Sequence, residues 1–124
     1  MPSADDYIAT VHRYLELLAS GGADEIAALY TDDATIEDPV GSDVRRGRDA
    51  VHEFYAAIEG LDKEAELLTL RAAGNEAAFW WRLTVAAGDS GTRIEPISVM
   101  TFDEDAKITS MRAFWSPSDV AVLQ

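Results

Sequence analysis

Apolar residues recur at helical spacing in the first half of the chain and alternate with polar residues in the second half. From Tyr7 onwards, steps of three and four residues predict an amphipathic helix that Gly21 and Gly22 end. The same spacing predicts a short second helix over residues 23–30 and a third over about 49–58. The three helices occupy the first half of the chain.

Period-two alternation predicts strands in the remaining segments. Residues 34–40 form the first, and Asp38 falls in its apolar phase with Ala34 and Ile36. Four more strands follow, separated by turn-forming glycines and acidic residues; they span residues 65–72, 76–87, 92–102 and 108–115. We therefore expect one α+β domain over residues 1–124, with three helices packed on the concave face of a curved, mostly antiparallel sheet.

The last three strands have two unlike faces. One phase predicts the lining of a pocket: Phe79, Trp81, Leu83, Pro96, Ser98, Met100, Met111, Ala113 and Trp115. The opposite phase is too apolar for a sheet face that meets water, and it holds Trp80, Ile97, Val99 and Phe114. A partner subunit is expected to cover that second face, which predicts a homodimer.

Charge and composition exclude several function classes. A net charge of −13 is repelled by phosphate backbones and anionic lipid, so neither nucleic acid nor a membrane is an expected partner. The chain has no cysteine and only His12 and His52, which excludes thiolate chemistry and makes a zinc site improbable. The acidic start and the lack of a long apolar run predict a cytoplasmic protein.

Asp38 is the first candidate for chemistry. An acid in the apolar phase of a strand, held extended by Pro39, should face the interior. Desolvation there raises its basicity, which suits a general base. The alternative is an Asp-Pro turn with a solvated side chain.

Tyrosine supplies the second candidate group. Tyr14, Tyr30 and Tyr55 each fall on the apolar face of a different predicted helix, so their hydroxyls could meet. Buried phenols need partners, and three together would make a strong donor without a metal. Helical tyrosines at this spacing also serve simply as core residues. Neither the acidic residues near Asp38 nor any sequence motif points to a metal or another cofactor.

Four segments together resemble the Δ5-3-ketosteroid isomerases over nearly the whole chain. They are RYLELL with Tyr14, LYTDDATIEDPVG with Asp38, RGRDAVHEFY with Tyr55, and ISVMTFDEDAKITSMRAFWS through Trp115. The resemblance implies a conical α+β barrel that dimerises through its outer face and isomerises a 3-oxo-Δ5-steroid through a dienolate without a cofactor.

The resemblance also implies roles for individual residues. Asp38 would be the general base and Tyr14 the oxyanion-hole donor, supported by Tyr30 and Tyr55. An apolar slot for the steroid would be lined by Phe54, Phe79, Trp81, Met111 and Trp115.

Ser98 departs from the pattern, because the better-known members carry a protonated aspartic acid at this position. We expect the Ser98 hydroxyl to be a weaker second donor, so that Ser98→Asp would raise the rate at neutral pH. The alternative is that the Ser98 hydroxyl only forms a hydrogen bond with the local backbone, as serine commonly does. Because a fold does not fix a function, two alternatives stay open: a polyketide cyclase or epoxide hydrolase type of enzyme, and a small-ligand-binding dimer without activity.

Overall fold

Three helices lie in the first half of the chain in the computed structural model, which describes residues 2–123. They are α1 (Ala4–Ser20), α2 (Ala23–Ala27) and α3 (Arg48–Ala56). Ser3 caps α1 in a reciprocal capping box with Asp6, which satisfies two of the free N–H groups at the helix start. The helix ends at Gly21, as its sequence predicts. No helix within the described residues is long and apolar enough to cross a membrane.

Eight strands form one mixed sheet that is not closed within the described part of the chain. They are β1 (Tyr30–Glu37), β2 (Arg45–Arg46), β3 (Asp62–Ala73), β4 (Glu76–Ala87), β5 (Ser90–Ile94), β6 (Ile97–Phe102), β7 (Ile108–Phe114) and β8 (Val120–Leu123). The spatial order is β2-β1-β7-β6-β4-β5-β8, and β3 pairs with β4. Only the β1–β7 pairing is parallel among these strands.

Three expectations from the sequence are wrong in detail. The strand expected over residues 34–40 is β1, which runs over Tyr30–Glu37 and ends just before Asp38. Tyr30 begins β1 and does not lie on a helix, because α2 stops at Ala27. The strand expected over residues 92–102 is interrupted at Pro96, which has no N–H for the ladder. The pairings of β2 with β1 and of β8 with β5 were not predicted, since short edge strands carry little alternation.

The core lies between the helices and the inner face of the sheet. Its side chains come from α1, α3 and the central strands, with Val11, Val51, Ile36 and Met100 at most 1% exposed. Helix α1 packs on β3, α2 on α3, and α3 on β1. The helices therefore cover one sheet face, as predicted.

The outer face of the sheet carries the opposite phase of the same strands. Trp80, Ile97 and Phe114 are 43%, 49% and 42% exposed, whereas their neighbours Phe79 and Ala113 are buried. The sheet faces predicted from alternation are confirmed.

Candidate active site

A cavity of about 190 Å³ opens between the helices and the inner sheet face. Its lining is mainly apolar: Tyr14, Leu18, Asp38, Phe54, Tyr55, Ile58, Trp81, Leu83, Ile94, Pro96 and Trp115. Asp38 is the one carboxylate in this lining. A mostly apolar cleft with a few convergent polar groups is the usual form of a small-molecule site.

Asp38 reaches the cavity because it continues the inward phase of β1. Ala34 and Ile36, four and two residues earlier, are 0% and 1% exposed, so the alternation brings Asp38 to the same side. The Trp115 Nε1–H donates a 2.6 Å hydrogen bond to Oδ1 of Asp38. The second carboxylate oxygen accepts no hydrogen bond from any residue in the described ranges.

Burial raises the pKa of Asp38 above its ordinary value, while the Trp115 hydrogen bond and the charge of Arg45 lower it in part. The balance leaves a carboxylate that is more basic than a solvated one. A carboxylate made more basic in this way suits the role of a general base.

Three tyrosine hydroxyls meet at the inner end of the cavity. Tyr55 is central: its hydroxyl lies 3.0 Å from that of Tyr14 and 2.5 Å from that of Tyr30. All three residues are at most 2% exposed. Burial is the main cause that raises the pKa of each far above the ordinary value, so all three remain protonated near neutral pH.

In each of the two tyrosine pairs, either hydroxyl can be the donor. Each phenol has one proton to donate. Tyr14 and Tyr55 line the cavity, and Tyr30 lies behind them. If Tyr30 donates to Tyr55 and Tyr55 to Tyr14, the Tyr14 proton is left for a ligand, strengthened by the two bonds behind it.

Ser98 lies beneath the cavity wall and is not among the lining side chains. It is 1% exposed, and its Oγ accepts a 3.0 Å hydrogen bond from Nε1 of Trp81, which does line the cavity. Phe79 and Met111 are likewise buried outside the lining, with Phe79 packed against the Trp81 ring at 6.3 Å. Phe54, Trp81 and Trp115 lie in the cavity wall.

Sequence reasoning missed Leu18, Ile58 and Ile94 as lining residues. Their positions on apolar faces are indistinguishable from ordinary core positions, so the sequence gives no separate signal for them.

Arg45 is a further group that sequence reasoning did not select. It lies opposite Ile36 in the β1–β2 ladder, so it shares the inward side of the sheet with Asp38. Its guanidinium lies 5.1 Å from the ring centre of Phe54, a cavity residue. Arg46 lies opposite Thr35 and belongs to the other side.

Substituting Arg45→Gln should move the acid limb of the pH profile of kcat/KM to higher pH. The arginine charge lowers the pKa of Asp38, so its removal lets that pKa rise. A higher pH is then needed to ionise the base. Arg46→Gln is the matched control, because it removes an equal charge from the opposite side. Identical acid limbs in both variants and the wild type would contradict this role for Arg45.

The α+β architecture, with an apolar cavity between the helices and the inner sheet face, defines the class of protein. The model of the SnoaL-like domain matches residues 11–111, and the chain belongs to this family.

Among its relatives is the steroid Delta-isomerase of Nocardioides simplex, which is 55% identical over 92% of this chain and 93% of that protein. This identity confirms the resemblance to the ketosteroid isomerases that was found in the sequence.

Solved structures give the same fold. The epoxide hydrolase/cyclase-like enzyme SalBIII, which has a role in pyran ring formation in the polyether salinomycin, superposes with a TM-score of 0.91. It is 30% identical, and the match covers 98% of this chain and 99% of that one. RV0760c of Mycobacterium tuberculosis gives a TM-score of 0.88 at 17% identity over 98% and 99% of the two chains, which is a likeness of fold alone.

Proposed function

We propose that this protein is a steroid delta-isomerase that converts a 3-oxo-Δ5-steroid into its Δ4 isomer. The observation that carries the proposal is that one basic carboxylate and the end of a tyrosine chain face the same apolar cavity. The identity of 55% to a steroid Delta-isomerase supports the same reaction.

The reaction is an internal proton shift. Asp38 removes a proton from carbon 4, and the electron pair of that C–H bond moves into the ring as negative charge develops on the oxygen at carbon 3. The protonated Asp38 then returns the proton to carbon 6, and the double bond ends between carbons 4 and 5. Atoms and electrons balance without a cofactor.

Two groups would stabilise the charge that develops on the oxygen. Tyr14 donates from the end of the tyrosine chain, which Tyr55 and Tyr30 support. Ser98 is the proposed second donor, which requires the substrate oxygen to reach its hydroxyl behind the cavity wall. Donors already oriented toward a developing oxyanion require little reorganisation, which is the reason that such groups strongly accelerate enolate formation.

The apolar wall suits a flat and rigid hydrocarbon. Phe54, Trp81 and Trp115 would contact the steroid directly, while Phe79 and Met111 would support the wall from behind. The cavity is smaller than the roughly 300 Å³ or more typical of complete ligand pockets, so part of the steroid would extend through its mouth.

The purified protein should therefore isomerise 5-androstene-3,17-dione. Conjugation of the product enone creates a strong ultraviolet band, and its growth gives the initial rate. A wild-type rate no higher than that of an Asp38→Asn preparation would contradict the proposal.

An epoxide hydrolase or cyclase reaction is the second candidate, favoured by the 30% identity to SalBIII over nearly the whole chain. In that case Asp38 would activate a hydroxyl nucleophile and Tyr14 would protonate the epoxide oxygen. Offering the protein an epoxide and a 3-oxo-Δ5-steroid separately distinguishes the two reactions.

We also propose that two copies associate through the outer sheet face. Trp80, Ile97 and Phe114 are neighbours across β4, β6 and β7 and expose large apolar surfaces. Exposed patches of this kind are typical of interaction sites.

A location in the cytoplasm stays a prediction from the sequence.

Ile97→Asp should weaken the dimer by more than about 100-fold, because association would bury two unpaired carboxylates at a cost of several kcal/mol each. Leu61→Asp is the matched control, since Leu61 is 45% exposed and Ile97 49%, and Leu61 lies outside this face. Sedimentation velocity at micromolar concentration measures the effect. A monomeric wild type, or equal behaviour of both variants, would contradict the proposed interface.

A further inference from the structure

The buried hydrogen bond between Trp81 and Ser98 leaves one proton without a protein partner. Ser98 Oγ accepts from Trp81 Nε1–H at 3.0 Å, and the two residues are 1% and 5% exposed. A serine hydroxyl can both accept and donate, yet no acceptor for the Ser98 proton lies among the described residues. A buried donor without an acceptor is costly, so a ligand oxygen that reached Ser98 would gain a hydrogen bond from it.

The surroundings of Ser98 hold its hydroxyl in place. Ser98 lies within β6, paired with Phe79 of β4 on one side and Ala113 of β7 on the other. The backbone groups of these central strands are occupied by the sheet ladder. The position of the hydroxyl proton is therefore set mainly by the Trp81 N–H, which occupies one lone pair of Oγ.

Trp81 also links Ser98 to Tyr14, the other proposed donor of the oxyanion hole. Its indole lies in the cavity wall and meets the Tyr14 ring edge-on, with ring centres 6.4 Å apart at an interplanar angle of 77°. One rigid side chain thus contacts both proposed donors. A shift of the indole would change the relative positions of the two hydroxyls.

We infer that Trp81 is a positioning residue, whose indole N–H fixes the Ser98 hydroxyl so that its proton is donated to the substrate oxygen. This inference rests on the proposed isomerase function and deepens it. Trp81 contacts the steroid only with its apolar ring, and its polar group acts through Ser98.

The pairing changes the expected result of Ser98→Asp. An indole N–H that donates to a carboxyl group favours the ionised form, which has no proton to donate to the substrate. Desolvation and the negative charge of Asp38 favour the protonated form. The titratable groups that line the adjoining cavity are Asp38, Tyr14 and Tyr55.

The Trp81 N–H is therefore expected to limit the gain that Ser98→Asp gives at neutral pH. Adding Trp81→Phe removes the N–H but keeps an aromatic ring. The double variant should be several-fold faster than Ser98→Asp at neutral pH, and the difference should shrink in acid. Equal pH profiles for the single and double variants would overturn the inference.

A double-mutant cycle tests the pairing in the natural site. Trp81→Phe should lower kcat for 5-androstene-3,17-dione about 3- to 10-fold with little change in KM, as expected for loss of one positioning hydrogen bond. In the Ser98→Ala background the same substitution should change kcat less than twofold. Tyr7→Phe is the control, because Tyr7 is a buried aromatic residue that stacks on Phe102 and not on Trp81.

Two results of the double-mutant cycle would contradict the positioning role of Trp81. Equal losses from Trp81→Phe with and without Ser98 would show that the indole acts by packing alone. A rise in KM at constant kcat would show that it serves only to bind the steroid. Either result overturns the positioning role.

A spectroscopic measurement separates this inference from the proposed function. The indole N–H resonance of Trp81, assigned by its loss in Trp81→Phe, should move upfield and exchange faster in Ser98→Ala. This shift does not depend on turnover, so it is expected even if the protein has no isomerase activity. An unchanged resonance would overturn the pairing even in an active isomerase.

Discussion

Asp38→Asn should lower kcat for 5-androstene-3,17-dione by about three to four orders of magnitude, near the upper end of what a positioned general base contributes. The amide has nearly the same shape as the carboxylate but cannot accept the proton from carbon 4. Initial rates from the ultraviolet band of the product measure the loss. A rate within tenfold of wild type would remove Asp38 from the role of base.

The fold of this variant should be retained. The amide oxygen can still accept the hydrogen bond that Trp115 donates to Asp38. Because burial raises the pKa of Asp38 in the folded state, the ionised carboxylate destabilises the fold once the pH exceeds its unfolded pKa. The neutral amide removes that cost, so Tm at pH 7 should be equal to or above the wild-type value, and steroid binding should persist.

Tyr14→Phe should lower kcat by about 10²- to 10³-fold, as loss of one oxyanion-hole donor does in other enzymes. The phenylalanine keeps the ring that packs on Trp81 and Tyr55 but removes the hydroxyl at the end of the chain. KM should change little, because the lost interaction strengthens mainly as charge develops on the oxygen.

The other tyrosines provide graded comparisons. Tyr55→Phe breaks the chain behind Tyr14 and should have a smaller effect than Tyr14→Phe, and Tyr30→Phe a smaller one still. Tyr7→Phe is the matched control, since Tyr7 is 6% exposed and stacks on Phe102 away from the chain. Losses of similar size in Tyr7→Phe and Tyr14→Phe would contradict an oxyanion role for Tyr14.

The position of Asp38 is the part of the site that the sequence predicts best. Alternation depends only on the local backbone, and Ala34 and Ile36 define the inward phase that reaches Asp38. The same reasoning predicts that Trp81 lies on the inner face of the sheet and Trp80 on the outer face, as the structure confirms.

Contacts between distant segments account for what the sequence does not predict. Tyr30 joins the tyrosine cluster from the start of a strand, because β1 pairs in parallel with β7 from the far end of the chain. The approach of Arg45 to the Asp38 side depends on the register of a two-residue strand. The donation from Trp81 to Ser98 depends on the register of β4 and β6 and on a side-chain rotamer, neither of which has a signature in composition or spacing.

The fate of the hydrogen on carbon 4 tests the central claim most directly. 5-Androstene-3,17-dione carrying deuterium at both positions of carbon 4 is converted in ordinary water, and the product is examined by mass spectrometry and NMR. If Asp38 carries the proton within a shielded cavity, product from the wild type should contain deuterium at carbon 6, well above the level from hydroxide-catalysed isomerisation. Product with no deuterium at carbon 6, or no product at all, would contradict the transfer of a proton by Asp38.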